Sequence, residues 1–329
     1  MQFIPPFDFH RVFIEPWAAS GALHGWILAM GFLVGTACSL VGNYLLLRRM
    51  ALVGDAISHS VLPGLVIAFL LAHSRNIAVM FAGALAAGLV TVFLIEFIHK
   101  KTRVKPDAAI CIAFTSLFAI GVVLTSMIDK GGLHIDAECI LYGEIAFVPL
   151  EPPVELFGHA FGPQPVLQMA GVTVGVIALL VLFYKELLVS SFDPGLTTSL
   201  GFNATALHYG LMAVLSIVVV SAFEAVGAVM VVAMLIIPGM TAAQLSSCLP
   251  TRHWLVAGHS ALSGLLGLHP SVWLNCSMAR AMVVAGAGLF VLAWLFSPNQ
   301  GLIRRWLRHP SKTPDETAWP VKATERPSP

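Results

Sequence analysis

Apolar stretches of roughly membrane-spanning length recur along this chain, each bounded by short polar or basic segments. A helix needs about 20 mostly apolar residues to cross a bilayer core, and its backbone groups must be satisfied within the helix itself. The pattern therefore predicts an all-α integral membrane protein with about nine transmembrane helices. They cover residues 23–47, 51–72, 76–98, 107–128, 165–188, 205–223, 225–244, 253–269 and 273–296.

The stretch 205–244 is almost unbroken and is too long for one crossing. We divide it into two spans joined by a hairpin that turns near Glu224–Gly227, because Glu224 interrupts the apolar run there. Glu224 then either lines a pathway near the outer end of the spans or is an interfacial residue of the turn.

Composition agrees with a membrane protein. Of the 329 residues, 57% are apolar and 11% are charged, whereas a soluble domain has about 25% charged residues. The formal net charge of +1 indicates no polyanionic partner such as nucleic acid. We expect three regions: an external segment 1–22, a transmembrane domain 23–300 and a cytoplasmic tail 301–329 that is disordered.

The basic residues predict the orientation. Fourteen of the 18 Lys and Arg residues lie on one side of the predicted spans, and this side is cytoplasmic by the positive-inside rule. The N-terminus is then outside and the C-terminus is cytoplasmic, as an odd number of spans requires. The four exceptions are Arg11, Arg75, Lys130 and Arg280.

Span 2 contains the richest set of polar residues. Asp55 and His59 are four residues apart, so they share one helical face. An ionisable residue in a span costs at least ~2.5 kcal/mol and is by default a functional candidate. A carboxylate and an imidazole can bind one divalent transition metal such as Mn, Fe or Zn. The alternative is that Asp55 caps the helix and His59 bonds to a neighbouring helix.

Three further residues of span 2 extend this candidate pathway. Ser58 adds a hydroxyl group next to His59. Pro63 and Gly64 are expected to break the helix and free backbone carbonyls, as happens at the binding sites of transporters. The sequence contains neither a P-loop nor an H-E-x-x-H motif, which argues against ATP hydrolysis by this chain and against a zinc protease.

Four segments together resemble the metal-ion ABC importer permeases, the membrane subunits of zinc, manganese and iron uptake systems. Segment 49–64, RMALVGDAISHSVLPG, is similar to the signature of that family. Segment 183–201 resembles its cytoplasmic F-D-P-x-x-A-x-x-L-G segment, and segment 225–242 its A-V-G-x-x-L-V-V-A-x-L-I-x-P-A-A-T-A stretch. Segment 134–147 is closer to the manganese/iron branch than to the zinc branch. The likeness covers about 23–300.

The resemblance implies a permease subunit that is not an enzyme. Such an importer contains two permease copies, identical or sister chains, an ATP-binding cassette ATPase dimer that hydrolyses ATP, and an external metal-binding protein. It lies in the bacterial inner membrane, has a fold like that of the vitamin B12 importer, and carries its path at the axis of the permease dimer. Asp55 and His59 match the family's metal site. No cofactor is bound permanently, and the ion carried is manganese, zinc or iron, with manganese favoured.

The contact with the ATPase is expected at the cytoplasmic end of span 7. Segment 239–252 is short, partly apolar and bounded by two prolines, so it is suited to a helix that binds in a groove of the partner. Its candidate coupling residues are Thr241, Gln244, Leu245 and Arg252. Segment 191–203 is the second candidate.

Two other functions remain open on the sequence alone. One is a permease for vitamin B12 or siderophores with the same fold, which would need a wide lumen without metal ligands in the membrane. The other is a secondary metal transporter driven by protons through Asp55, His59 and Glu224.

Overall fold

The computed structural model describes residues 5–72, 77–129, 143–156, 159–297 and 301. Within these ranges the chain is almost entirely helical, as predicted. A π-helical turn at His10–Ile14 precedes the first helix, and a 3-10 turn at Ile145–Leu150 precedes an antiparallel hairpin of β1 (Pro153–Leu156) and β2 (His159–Pro163). The helices are α1 Glu15–Leu47, α2 Val53–Ala72, α3 Ile77–Lys101, α4 Pro106–Asp129, α5 Gln164–Leu182, α6 Tyr184–Phe192, α7 Pro194–Ser199, α8 Ala204–Leu245, α9 Leu249–Leu274 and α10 Met278–Phe296.

Helix α1 lies at the centre of the bundle. Val34, Ala37 and Val41 are fully buried, and almost every residue from 34 to 45 is inaccessible to solvent. Glycine is required at position 42, where α1 contacts α8, since a Cβ there would overlap the carbonyl oxygen of Leu235. Small side chains on α1 thus let the other helices approach its backbone closely. The helix begins earlier than the predicted span 23–47 and is kinked at Ser20.

Helix α8 folds back on itself at Gly227, whose backbone is non-helical (φ 75°, ψ 164°). Near its start, His208 contacts Arg48, and near its end Gly239 lies against Asn43 and Leu46. A straight helix would separate residues 208 and 239 by about 46 Å, yet both lie at the same end of α1. The predicted hairpin therefore forms. The side chain of Glu224 lies outside the described residues.

Eight of the described helical segments are long and apolar enough to cross a membrane, with α8 counted as two. Helix α9 has the length for a ninth span, with 26 residues, but is more polar. Its polar groups pack inside the bundle: Ser260 and Ser263 are buried, and the His259 ring bonds to the carbonyl of Gly286. With α9, the described residues contain nine helical segments of spanning length, which roughly matches the predicted number.

Two predicted boundaries are wrong. The break predicted between spans 253–269 and 273–296 lies about five residues too early in the chain. Helix α9 continues to Leu274 and is capped by Asn275, which adopts the left-handed conformation (φ 49°). The predicted span 165–188 is interrupted at Phe183, where α5 ends and α6 begins. At Phe183 the apolar pattern runs on through the bend, whereas α9 continues past Pro270 and turns at the polar residues that begin with Asn275.

The two ends of the described chain lie on opposite faces of the bundle. The Trp273 indole N–H donates to the carbonyl of Pro5, at the far end of α9. Ser297 donates to the carbonyl of Gln244, at the end of α8 that lies near Arg48. Termini on opposite sides are what an odd number of crossings requires. Residues 302–329, including nearly all of the predicted tail, lie outside the described residues.

Candidate metal pathway and cytoplasmic surface

Asp55 and His59 face the same way from α2. The distance from His59 Nε2 to Asp55 Oδ1 is 3.5 Å, and their side chains are 35% and 37% exposed, respectively. Two ligands about 2.1 Å from one ion at an angle of 90–110° lie about 3.0–3.4 Å apart. The pair therefore needs only a small adjustment to bind one metal ion. The predicted juxtaposition is present in the structure.

Aromatic rings of α4 form one wall of this site. The His59 ring lies 5.9 Å from the ring centroids of both Phe114 and Phe118. These rings limit the orientation of the imidazole and leave its edge, with Nε2, directed towards Asp55. The polar atoms of the pair are thus presented next to an apolar wall rather than within a set of other charges.

The surroundings of Ser58, Pro63 and Gly64 differ in part from the prediction. The Ser58 hydroxyl is buried away from the pair and donates to the carbonyl of Gly54 at 3.0 Å. Helix α2 continues through Pro63 to Ala72, so the expected break is absent. Pro63 packs at the position of Gly121 on α4, where a Cβ would lie 2.8 Å from the proline Cδ.

Pro63 still affects the candidate site, because it removes one backbone hydrogen bond of the helix. In an α-helix the N–H of residue 63 would donate to the carbonyl of residue 59, and proline has no N–H. The carbonyl oxygen of His59 therefore lacks its ordinary helical donor. The freed carbonyl that the sequence suggested belongs to His59 itself.

Within the described residues, no group of three or more His, Cys, Asp or Glu side chains converges. The pair on α2 thus has no third side-chain ligand of these types among those residues. Glu224, the other candidate, has no described side chain.

Segment 239–252 is not a separate helix, which corrects the prediction for the coupling surface. Residues up to Leu245 belong to α8, three residues connect, and α9 begins at Leu249. Both prolines are accommodated: Pro238 lies inside α8, and Pro250 occupies the first turn of α9, where a missing N–H costs nothing.

The four candidate coupling residues differ in accessibility. Thr241 is buried, and its hydroxyl donates to the carbonyl of Ile237. The carbonyl of Gln244 accepts from Ser297, and Arg252 Nε donates to the carbonyl of Ser246. Leu245 is 37% exposed. Only a small apolar surface is therefore available in this segment.

Segment 191–203 presents a larger apolar surface. The Asp193 carboxylate accepts from the N–H groups of Gly195 and Leu196 and caps α7. Thr197, which replaces the alanine of the resembling pattern, is buried and donates to the carbonyl of Asp193. The exposed side chains, which we name the α7 surface, are Phe192, Leu196, Leu200 and Phe202.

Comparison with known proteins assigns the family. The model of the ABC 3 transport family matches residues 23–297. The chain belongs to the ABC 3 transport family. It is a membrane permease subunit of an ABC transporter and not an enzyme; in this family the ATPase is a separate subunit.

Two proteins similar to this permease are named for manganese or zinc transport. It is 44% identical to the manganese transport system membrane protein MntD of Bacillus subtilis, over 87% of this chain and 96% of that protein. It is 40% identical to the zinc transport system membrane protein TroD of Treponema pallidum, over 85% of this chain and 76% of that protein.

Two solved structures resemble this ABC permease. One is PsaBC from Streptococcus pneumoniae in complex with Fab, with a TM-score of 0.71, 29% identity, and coverage of 89% of this chain and 98% of that chain. The other is an inward-facing metal-chelate type ABC transporter, with a TM-score of 0.57 and 16% identity over 82% of this chain and 84% of that chain. The second shows the shared fold only.

Sequence reasoning missed a polar cluster at the α1 end of this permease. The Arg48 guanidinium donates from Nε to Ser191 Oγ (3.1 Å), from Nη2 to Ser190 Oγ (2.8 Å) and from Nη1 to His208 Nδ1 (3.0 Å). His208 Nε2 lies 2.8 Å from Glu96 Oε1. We call these five residues the Arg48 cluster.

Spacing in the sequence could not reveal the Arg48 cluster, because its members belong to four different helical regions. The usable signal was weaker: each lies near the end of a predicted span, where a polar residue is ordinarily attributed to contact with water. Arg48 is half-buried, and this burial lowers the pKa of its guanidinium.

Proposed function

We propose that this permease forms the path of an ATP-driven importer of divalent transition-metal ions, with manganese as the main substrate. The observation that carries this proposal is the pair Asp55–His59: two metal-binding side chains, 3.5 Å apart and accessible, on a spanning helix that is otherwise largely buried. The manganese and zinc names of the relatives at 44% and 40% identity support it.

A bare divalent ion needs substitutes for its hydration shell to cross the membrane. Asp55 supplies charge, and His59 supplies an imidazole nitrogen and its own carbonyl oxygen. A hard carboxylate with a single imidazole suits Mn²⁺, whereas thiolate ligands would favour softer ions. One subunit offers too few ligands for a full shell, so we propose that a second permease copy, identical or sister, faces the first across the path.

We propose that the face carrying Arg48, Lys100 and Lys185 is cytoplasmic and binds the ATPase dimer. The α7 surface supports this, because it presents four exposed apolar side chains on the same face as Arg48. The external metal-binding protein then binds the opposite face, where the 3-10 turn and the β-hairpin lie. The N-terminus is outside and the C-terminus is cytoplasmic.

Uptake of Mn²⁺, Zn²⁺ and Fe²⁺, measured in parallel in cells lacking the gene and in cells carrying variants, tests the function. Asp55→Asn keeps the shape and the capping ability of the side chain but removes its charge, and His59→Gln removes the imidazole. We expect each to reduce uptake by at least ~10-fold, as losses of metal contacts commonly do. Expression and assembly should be unchanged.

Asp107→Asn and His99→Gln are matched controls, since they make the same chemical changes at exposed residues outside the pair. They should take up metal at the wild-type rate. Wild-type uptake of all three ions by Asp55→Asn would contradict the metal path. Uptake that persists on ATP depletion while the proton gradient is held would favour the proton-driven alternative.

A further inference from the structure

The Arg48 cluster has only one consistent pattern of donors and acceptors. Arginine can only donate, so His208 Nδ1 must accept, and the ring proton lies on Nε2 and is donated to Glu96. The hydroxyls of Ser190 and Ser191 both donate to the carbonyl of Leu187, which leaves their oxygens free to accept from Arg48. Each nitrogen of the guanidinium thus has a different partner.

The cluster connects the α7 surface to α3 and α8, which both pack on the helix of the Asp55–His59 pair. Ser190 and Ser191 directly precede Phe192, the first side chain of that surface. On the other side, His208 belongs to α8 and Glu96 to α3, and α3 packs closely along α2, which carries Asp55 and His59. Lys100, one turn after Glu96, lies 2.8 Å from its second carboxylate oxygen and holds it from the solvent side.

Rigid coupling requires a group that holds several partners in fixed directions. Arginine provides this, because its planar guanidinium presents donors in a fixed fork, whereas lysine offers one point charge on a flexible stem. The remaining link, through a neutral imidazole to a buried carboxylate, transmits position by hydrogen bonds of 2.8–3.0 Å.

We propose that Arg48 is a positioning residue for energy coupling: it transmits displacement of α6 and α7, through His208 and Glu96, to α3 and α2. This inference rests on the proposed function, since it assumes that the ATPase acts on the α7 surface. Arg48 contacts neither the metal ion nor the nucleotide. Its effect is on the amount of metal moved for each ATP hydrolysed.

The test uses the permease assembled with its ATPase subunits in lipid vesicles, with the external metal-binding protein and Mn²⁺ present. Mn²⁺ uptake and ATP hydrolysis are measured on the same preparation. For Arg48→Lys and for Ser190→Ala combined with Ser191→Ala, we expect assembly and ATP hydrolysis to persist. Mn²⁺ moved per ATP should fall about 2- to 30-fold, the range of couplings carried by such networks.

Two substitutions at His208 separate positioning from packing. His208→Gln keeps one acceptor for Arg48 and one donor for Glu96, so it should retain most of the coupling, whereas His208→Leu should lose it as Arg48→Lys does. Combining Arg48→Lys with His208→Leu should be no worse than either alone, because both break one chain of contacts. Arg103→Lys and Thr102→Ala, exposed substitutions on the same face, are the matched controls.

Each outcome decides between defined alternatives. Wild-type Mn²⁺ per ATP in Arg48→Lys and His208→Leu overturns the positioning role. So does a loss of uptake that only follows a loss of assembled complex or of thermal stability, since Arg48 would then be structural. If the wild-type complex moves no Mn²⁺ at all, the proposed function fails instead.

Discussion

Gly64 on α2 and Gly83 on α3 lie in backbone contact with each other. A Cβ at Gly83 would be 2.5 Å from the carbonyl oxygen of Gly64, and a Cβ at Gly64 would overlap the carbonyl oxygen of Gly83. The helix that carries Asp55 and His59 is thereby held against its neighbour without intervening side chains. Gly64, singled out in the sequence as part of a helix break, is a packing residue in a continuous helix.

Gly83→Ala is therefore expected to destabilise the permease. The added methyl group must push α3 from α2, and overpacking of this kind costs about 1–3 kcal/mol. Thermal unfolding of the purified protein in detergent measures the effect. Gly171→Ala in α5 is the control, because a Cβ there meets no atom within 4 Å; this variant should be as stable as wild type or more so, as alanine favours helix by about 1 kcal/mol. Equal unfolding temperatures for Gly83→Ala and wild type would contradict the contact.

Orientation can be tested by labelling. A tag inserted near residue 150 should be accessible from outside, and a reporter fused after Arg308 should be cytoplasmic, because the sequence pattern assigns fourteen of the 18 Lys and Arg residues to the same side of the predicted spans as Arg48. Accessibility to an impermeant reagent in intact cells distinguishes the two sides. Labelling of the reporter and not of the tag would invert the proposed topology.

The two candidate ATPase contacts can be compared directly. Phe192→Asp combined with Leu196→Asp places charge on the α7 surface, where the side chains are 70% and 49% exposed. We expect this variant to insert normally but to lose co-purification with the ATPase. Leu245→Asp charges the smaller surface between α8 and α9 and should retain the partner. If Leu245→Asp loses the ATPase and the double variant retains it, the ATPase contact lies at segment 239–252 instead.

Sequence periodicity and hydropathy were sufficient for most of the fold. The number of crossings and the hairpin of α8 follow from the lengths of apolar stretches, since lipid allows few alternatives to a helix. The bend at Phe183 could not be predicted, because apolar residues continue through it. The end of α9 was placed too early because Pro270 is accommodated inside the helix and the chain turns only at Asn275.

The candidate site was predictable only where its members are close in the chain. Asp55 and His59 share one face by helical geometry alone. The roles of Ser58 and Pro63 depend on which neighbours surround α2, and the Arg48 cluster joins residues more than 100 positions apart. A proline that the sequence predicts to break a helix is accommodated inside the helix when glycine on a neighbouring helix leaves room for its ring.

Pro63→Ala isolates the contribution of the His59 carbonyl. Alanine restores the N–H that donates to this oxygen, and it removes a helix defect that costs about 3 kcal/mol in an isolated helix. The variant should therefore be at least as stable as wild type in thermal unfolding. If the free carbonyl is a ligand for the passing ion, its capture by the restored hydrogen bond should reduce Mn²⁺ uptake although Asp55 and His59 are intact. Pro270→Ala, a comparable change inside α9 and away from the pair, should leave uptake unaltered. A stable Pro63→Ala protein with wild-type uptake would show that the two side chains act without the carbonyl.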